Sequence, residues 1–264
     1  MGKQQIKKLE ALIVSVQPYR ENDKLVALFS PPMGMTFAKA TSAMELKSHL
    51  GMRLLPLSLG SFTLVRTGGS FPILSGVDIV AVFRQWKTPG TRVLTASVIL
   101  TVLSEIVATQ ETSYEFYRMS VNLLRSNPKT YPEKALAIFL LRSMHILGVI
   151  SPAETCFACR KILSSGSVLA PMNLTSFFCV RCFNKIYGTK EVSAVKFSAS
   201  DLNYLLSLLK IPILNYHSAN LTLKQLSLLI ELFKARASDM LPRTSALLNE
   251  VQAYLKLPLA LEGI

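Results

Sequence analysis

The sequence predicts an α+β protein in which a small N-terminal β-barrel is followed by a helical domain that carries a four-cysteine hairpin. Short strand-like segments separated by turn residues fill residues 1–84, whereas apolar residues repeat at helical spacing beyond residue 90. Two Cys-x-x-Cys pairs interrupt that second region. We therefore expect two domains, residues 1–84 and 85–264, with the hairpin inserted at residues 152–190.

Five short strands are predicted in the first domain. They cover residues 9–16, 25–29, 36–40, 55–65 and 77–83. Polar, proline or glycine turns at 19–23, 31–34 and 68–69 separate several of them. Five strands in about 80 residues suit a closed barrel, and an OB-fold fits both the count and the length. The pattern leaves a five-stranded SH3-like barrel open as the alternative.

Helical periodicity defines the second domain. The predicted helices cover residues 91–109, 114–125, 132–147, 200–209, 222–237 and 244–255. Ser200 and Thr222 are suited to cap helices, and Gly148 is suited to end one. The most apolar stretches, 93–107 and 135–150, are interrupted by polar residues and therefore predict buried helices instead of membrane spans.

All four cysteines lie in two closely spaced pairs. Cys156-x-x-Cys159 and Cys179-x-x-Cys182 are separated by nineteen residues. This spacing predicts a structural Zn²⁺ site, since four thiolates close a tetrahedron and leave no position for a reacting water. Two disulfides are the alternative. The sequence starts Met-Gly-Lys-Gln-Gln with no early apolar run, so we expect a reducing cytoplasm, where disulfides are rare.

The charge balance points to an anionic partner. The 264 residues include 29 Lys and Arg against 16 Asp and Glu, a formal net charge of +13. Residues 1–84 carry ten basic against five acidic residues, and residues 151–190 carry five against one, whereas 191–264 are nearly balanced. This uneven placement favours a binding face, with nucleic acid as the first candidate and an anionic membrane surface as the second.

Basic and aromatic side chains are interleaved in the barrel. The predicted phosphate contacts are Lys39, Lys47, Arg53 and Arg66, followed by Arg20 and Lys24. Among these aromatic residues, Tyr19 and Phe37 are the better candidates to stack on bases, whereas Phe29 and Phe62 lie in apolar runs and are expected to fill the core. Reversing the charges of Lys39 and Arg53 together is expected to weaken binding and flatten its salt dependence.

The cysteine hairpin offers a second basic patch. Its members are Arg160, Lys161, Arg181, Lys185 and Lys190. A zinc-braced hairpin can hold such residues near a nucleic acid, and purely structural support is the other interpretation.

No catalytic set is found in the sequence. His49, His145 and His217 are far apart, and His145 lies on an apolar helix where we expect a buried side chain. Nucleotide-binding glycine motifs and a nucleophile elbow are missing, and the acidic residues are few and scattered. The sequence therefore predicts a binding protein that is not an enzyme.

The combination of barrel, helices and late hairpin resembles the bacterial RecO family of recombination mediators. The similarity is carried by residues 11–14 and 19–30, by Gly34, Ala38 and Lys39, and by the four cysteines. It implies an OB-fold joined to a helical domain, binding of single- and double-stranded DNA, and annealing of complementary strands. It also implies a cytoplasmic, nucleoid-associated protein that works with RecR, and often RecF, to help RecA replace single-stranded DNA-binding protein, whose acidic, apolar C-terminal tail it binds.

The sequence departs from the family pattern at three places. Few cations follow the third strand, in residues 41–47; Arg160 stands where a glycine commonly follows the first cysteine pair; and Thr175-Ser176 replaces glycines before the second pair. Some relatives lack the metal, so zinc is expected to support the fold only. A zinc-ribbon RNA-binding or transcription-associated protein and a protein-interaction scaffold are the alternative functions.

Overall fold

A computed structural model describes most of the chain. The described residues are 5–66, 68–106, 110–126, 131–150, 155–171, 174–188 and 192–261. The helix end predicted at 107–109, the hairpin ends predicted at 152–154 and 189–190, and Lys190 itself lie outside this part of the chain. The fold is mixed α+β, with an N-terminal sheet followed mainly by helices.

The chain forms two compact units. The first comprises Met1–Pro89 and Ile99–Asn127, and the second comprises Gly90–Val98 and Pro128–Ile264. The division at residue 84/85 made from the sequence stays a prediction about the folding domains.

The first unit is built on a closed five-stranded barrel with the strand order β1-β2-β3-β5-β4. Its strands are β1 (Gln5–Tyr19), β2 (Asp23–Ser30), β3 (Gly34–Ala40), β4 (Ser58–Arg66) and β5 (Ile73–Val82). The long strand β1 closes the barrel because it pairs with both β2 and β4, so that Leu12 lies opposite Phe29 and also Leu59. All five predicted strands are present, although their ends differ from those that the sequence pattern indicated.

A short helix, α1 (His49–Arg53), lies between β3 and β4 and was missed by the sequence analysis. Five residues make little more than one helical turn, which is too short for a periodic signal. Ser48 caps the helix by accepting a hydrogen bond from the Gly51 N–H (3.1 Å). Leu50 and Leu54 pack against the barrel core, so α1 contributes to the interior of the first unit.

Alternation along the strands explains the barrel core. Leu9, Ala11 and Ile13 of β1 are buried in one cluster with alternate residues of the other strands, including Phe62. Phe29 is also fully buried, so both phenylalanines predicted to fill the core do so.

Helix α3 (Gln110–Arg125) packs against β2 and β3 within the first unit. The Tyr117 hydroxyl donates a 2.6 Å hydrogen bond to the Glu10 carboxylate, and burial together with this bond raises the pKa of Tyr117. Gly34 begins β3 with a φ of +61°, and a Cβ there would lie 3.0 Å from the Ser113 hydroxyl oxygen. Glycine therefore suits both the left-handed backbone and the close approach of α3.

The second unit combines helices with a small antiparallel sheet. Its helices are the first part of α2 (Thr91–Glu105), α4 (Pro132–Ile146), α5 (Val180–Tyr187), α6 (Ala199–Ser207), α7 (Leu223–Ala237) and α8 (Pro242–Leu261). The strands β6 (Ser167–Pro171), β7 (Phe178–Cys179) and β8 (Ala194–Ser198) form a sheet in the order β7-β6-β8. The prediction of a helical bundle interrupted only by a hairpin was therefore incomplete, because strands of two to five residues show little alternation.

Helix ends follow local capping chemistry. Thr222 and Gln225 form a reciprocal capping box at the start of α7, and Gly148 follows α4 with a φ of +71°. Helix α6 is capped by the Ser198 side chain and not by Ser200.

His145 is exposed in the last turn of α4, so the prediction of a buried histidine was wrong. Among the described helices, none has the length and hydropathy needed to cross a membrane.

Candidate nucleic-acid interface and metal site

Three aromatic side chains form a chain of contacts on the outside of the barrel. The Phe71 ring lies 5.9 Å from the Tyr19 ring and 6.4 Å from the Phe37 ring, measured between centroids. Tyr19 ends β1, Phe37 lies in β3, and Phe71 lies in the β4–β5 loop. Phe37 alternates with the core residues Ala38 and Ala40 and is 45% exposed, so this face points to solvent.

Strand pairing brings these segments together. The Lys39 N–H donates a 2.9 Å hydrogen bond to the Pro72 carbonyl, and Lys39 is opposite Ile73 in the parallel pairing of β3 with β5. The contacts between the three rings thus join the β1–β2 turn, strand β3 and the β4–β5 loop. We call Tyr19, Phe37 and Phe71, with Arg20 and Lys39, the barrel face.

Two cations belong to the barrel face. The Arg20 guanidinium lies 5.4 Å from the centroid of the Tyr19 ring, and Arg20 adopts a left-handed φ of 55°. The Lys39 ammonium lies 3.7 Å from the Asp23 carboxylate, and both side chains are only partly exposed. Part of the charge of Lys39 is therefore balanced by Asp23, and a phosphate that contacts Lys39 would have to compete with this carboxylate.

The other predicted cations lie elsewhere in the first unit. The Lys24 ammonium donates a 3.3 Å hydrogen bond to the Gly51 carbonyl of α1. Arg53 donates from the end of α1 to the Val77 carbonyl (3.4 Å). Lys47 is exposed in the loop before α1, and Arg66 is exposed at the end of β4. Hence Lys24 makes an internal contact, whereas Arg53, Lys47 and Arg66 are exposed and accessible to a partner.

Phe71 was missed by the sequence analysis. The segment Gly68-Gly69-Ser70-Phe71-Pro72 reads as a loop, and a single ring within it gives no periodic pattern. A large aromatic residue in a glycine-rich loop between two strands of a small barrel was the available signal. Phe71 connects Tyr19 and Phe37, both of which the sequence did single out.

The four cysteines converge in the second unit. The sulfur atoms of Cys156, Cys159, Cys179 and Cys182 all lie within 4.8 Å of one another, and the thiols are free. Tetrahedral Zn²⁺ with bonds of about 2.3 Å separates its sulfur ligands by about 3.8 Å. The cluster therefore needs only small shifts to hold the ion, and all four donors are of the soft type that zinc accepts. It is the one such group among the described residues.

Backbone hydrogen bonds connect the two cysteine pairs. The Cys179 N–H donates to the Cys156 sulfur (3.4 Å), and the Phe157 N–H donates to the Phe177 carbonyl (2.9 Å). The Cys156 N–H donates to the Lys161 carbonyl (2.8 Å) and closes the first loop. The site is thus preorganised by the polypeptide.

The close thiols shift one another's pKa values in opposite directions. Burial opposes ionisation of Cys156, but N–H donors from Cys159, Cys179 and Ala158 outweigh it and lower its pKa to about 6. The pKa of Cys182 rises to about 12, chiefly because its thiol hydrogen-bonds to Cys179 and Cys159. Four close thiols cannot all ionise by themselves, and a divalent cation removes that repulsion.

Arg160 follows the first cysteine pair with a left-handed φ of 60°. Its N–H donates a 2.9 Å hydrogen bond to the Cys156 carbonyl, which the turn of the chain requires. This conformation costs a residue with a side chain roughly 1–2 kcal/mol, and glycine adopts it freely. The preference for glycine noted from the sequence therefore has a backbone cause.

Arg236 ties α7 to the segment that leads into the second cysteine pair. Its guanidinium donates to the carbonyls of Thr175 (2.8 Å), Ser176 (2.9 Å) and Val149 (3.3 Å) and lies 4.7 Å from the centroid of the Phe177 ring. Burial lowers the pKa of Arg236 to about 10, so it stays charged at neutral pH. This contact spans about sixty residues of sequence and was not predicted.

Comparison with known proteins gives a consistent family. Residues 4–83 match the family model for the recombination protein O N terminal region, and residues 89–236 match that for its C terminal region. A DNA repair protein RecO from Chlamydia pneumoniae is 26% identical over 153 residues, covering 58% of this chain and 60% of that protein.

Two further relatives bear the same name. The DNA repair protein RecO of Listeria monocytogenes serotype 4b (strain CLIP80459) is 22% identical over 68% of this chain and 70% of its own length. That of Clostridium perfringens is 25% identical over 60% of this chain and 65% of its own length. The two family models together cover most of the sequence, and the chain belongs to the RecO family of DNA repair proteins.

Proposed function

We propose that this chain is a non-catalytic DNA repair and recombination mediator that binds single- and double-stranded DNA and anneals complementary strands. The observation that carries the proposal is the barrel face, where three connected rings lie beside Arg20 and Lys39. Rings beside cations suit single strands, because bases stack on the rings while the cations contact phosphates.

The barrel topology supports this location. We infer that the barrel is an OB-fold, since its strand order is β1-β2-β3-β5-β4 and a helix lies between β3 and β4. In OB-folds, oligonucleotides bind at strands 2–3 and at the β1–β2 and β4–β5 loops. Phe37, the Tyr19–Arg20 turn and Phe71 lie in those segments.

Annealing follows from charge shielding. Cations at the barrel face, together with the exposed Lys47 and Arg66, reduce the repulsion between two phosphate backbones and release condensed counterions. Duplex DNA has no free bases for the rings, so it binds through its phosphates alone. We therefore expect single strands to bind more tightly than duplex DNA.

Family membership supports a set of partners. We propose that the protein works with RecR, and with RecF where present, to load RecA onto DNA coated by single-stranded DNA-binding protein, whose C-terminal tail it contacts. These roles place it in the cytoplasm, at the nucleoid. We further propose that Cys156, Cys159, Cys179 and Cys182 hold one structural Zn²⁺.

A strand-annealing assay tests the function. Complementary labelled strands are mixed with the protein, with and without a coating single-strand binder, and duplex formation is followed over time. We expect faster annealing in both cases, and a loss of it in a Phe37→Ala, Phe71→Ala double variant. Tyr114→Ala is the matched control, since Tyr114 is an exposed ring on α3, outside the barrel face. Annealing no faster than the spontaneous rate, or a preference for structured RNA over single-stranded DNA, would contradict the proposal.

A further inference from the structure

The first cysteine turn carries an arginine where glycine is the less strained residue. Among the described residues, four non-glycine residues have a positive φ, and Arg160 is one of them. The turn uses the Arg160 N–H, which bonds to the Cys156 carbonyl, and glycine supplies the same N–H. The side chain itself is exposed and is not needed to form the turn. A strained residue whose side chain the turn does not use points to a function for that side chain.

The Arg160 guanidinium lies beside an exposed aromatic ring. It is 5.5 Å from the centroid of the Phe157 ring, and Phe157 is 52% exposed. The Phe178 ring, 5.6 Å away, supports Phe157 from within the second unit. An exposed ring next to a fixed cation can stack on an unpaired base while the cation contacts its phosphate.

The barrel face contains the same arrangement. Arg20 also has a positive φ, and its guanidinium lies 5.4 Å from the Tyr19 ring. Both units therefore present a left-handed arginine beside an aromatic side chain on a tight turn. The resemblance is in local geometry and not in sequence, because Tyr19 precedes Arg20 directly whereas Phe157 precedes Arg160 by three residues.

The charge of the hairpin favours a polyanion. Residues 155–188 contain no Asp or Glu, and the exposed cations are Arg160, Lys161, Arg181 and Lys185. Four thiolates and one Zn²⁺ together carry a charge of −2, so the hairpin keeps +4 − 2 = +2 when the ion is bound. Arg160 follows Cys159 and Arg181 precedes Cys182, so the sulfur cluster holds these two residues near the same point.

We propose that the Phe157–Arg160 turn is a second binding site for single-stranded nucleic acid, carried by the cysteine hairpin and separate from the barrel face. It extends the proposed function, since a protein with one strand site in each compact unit can hold two strands at once. An acidic peptide is the competing occupant, but a peptide gives the exposed ring no base on which to stack. Nucleic acid uses both the ring and the cations.

Arg160→Gly tests the proposal because it removes the side chain while suiting the backbone. We expect zinc content and thermal midpoint to be kept or raised. The second binding event of a labelled oligothymidylate of about ten nucleotides, a length typical of single-strand sites, should weaken about tenfold. The slope of log affinity against log salt concentration should become shallower by about 0.7 for each phosphate that the variant no longer neutralises.

Arg160→Asn is the second variant, since asparagine tolerates the left-handed conformation without charge. Lys210→Ala, which removes an exposed charge from the second unit outside the hairpin, is the control and should bind like the wild type.

Stoichiometry separates this proposal from the one on which it rests. We expect two oligonucleotides per wild-type chain at saturation, one for a Phe157→Ala, Arg160→Gly double variant, and one for the Phe37→Ala, Phe71→Ala variant. Equal binding by the Phe157–Arg160 variant and the wild type overturns the second site and leaves the barrel site standing. No binding by the wild type overturns both. Displacement of the second oligonucleotide by a polyglutamate peptide of equal charge, at equal concentration, would assign the turn to acidic peptides and overturn the proposal.

Discussion

Phe71→Ala removes the ring that connects the barrel face. The wild-type ring lies 5.9 Å from Tyr19 in an edge-on arrangement and 6.4 Å from Phe37 in a tilted one. Such ring pairs contribute roughly 0.5–1.5 kcal/mol each beyond buried area. Both pairs are partly solvated, so we expect the variant to lose about 1–2 kcal/mol of stability while the barrel core, which excludes Phe71, stays intact.

The effect on DNA is larger and selective. One stacked base contributes about 1–3 kcal/mol, which is a loss of about 5- to 150-fold in affinity for single-stranded DNA. Because no cation is removed, the salt dependence of binding should stay unchanged. Duplex DNA offers no unpaired base, so its affinity should change little. Fluorescence anisotropy with single-stranded and duplex probes at several salt concentrations measures all three quantities.

Phe71→Leu separates stacking from packing. Leucine keeps much of the apolar contact with Tyr19 and Phe37 but offers no flat ring to a base, so it should recover stability and not affinity. Equal losses for single-stranded and duplex DNA would show that Phe71 acts through the fold. Wild-type affinity for single strands in a folded Phe71→Ala protein would refute stacking at this face.

Three further predictions concern the cations Lys39, Lys24 and Arg236, and a fourth concerns pH. Lys39→Gln should weaken DNA binding. For single-stranded DNA, the slope of log affinity against log salt concentration should become shallower by about 0.7. Lys24→Gln, which removes a bond to α1, should cost about 1 kcal/mol in denaturant unfolding and leave the slope unchanged. Arg236→Met should speed zinc loss to a chelator about tenfold, since one charged hydrogen bond contributes about 1.5 kcal/mol or more; loss at the wild-type rate would contradict this. Hydrogen bonds from Ser198, and then from Gln225, lower the pKa of Asp201 below its ordinary value of 3.8. The ionised carboxylate therefore stabilises the folded protein above pH 3.8, and this stabilisation is lost as the pH falls through the lower pKa of the folded state. Asp201→Asn should therefore be less stable than the wild type at neutral pH by thermal melting, and a difference that persists at acid pH would contradict this.

The strands of the barrel were predictable because turn residues separate them. Polar residues at 19–23 mark the end of β1, and proline and glycine at 31–34 mark the end of β2. The capping box at Thr222 and the stop at Gly148 were predictable for the same reason. Such features depend on interactions within a few residues.

Features that depend on distant contacts were not predictable. Arg236 reads as an ordinary surface cation on a helix, and only the structure places it on the carbonyls of Thr175 and Ser176. The same holds for Lys24, whose bond to Gly51 gives it a role inside the first unit. For Phe71, the glycine-rich loop was a visible signal, but its two ring neighbours come from other segments and only the structure identifies them.

The most direct test of the barrel face is photocrosslinking of a single strand that carries 5-iodouracil, followed by mass spectrometry of the crosslinked peptides. A base stacked on a ring crosslinks to that ring. We predict crosslinks to Tyr19, Phe37 or Phe71, reduced in the Phe71→Ala variant. Crosslinks found only outside residues 5–82, with none on the barrel, would contradict the account.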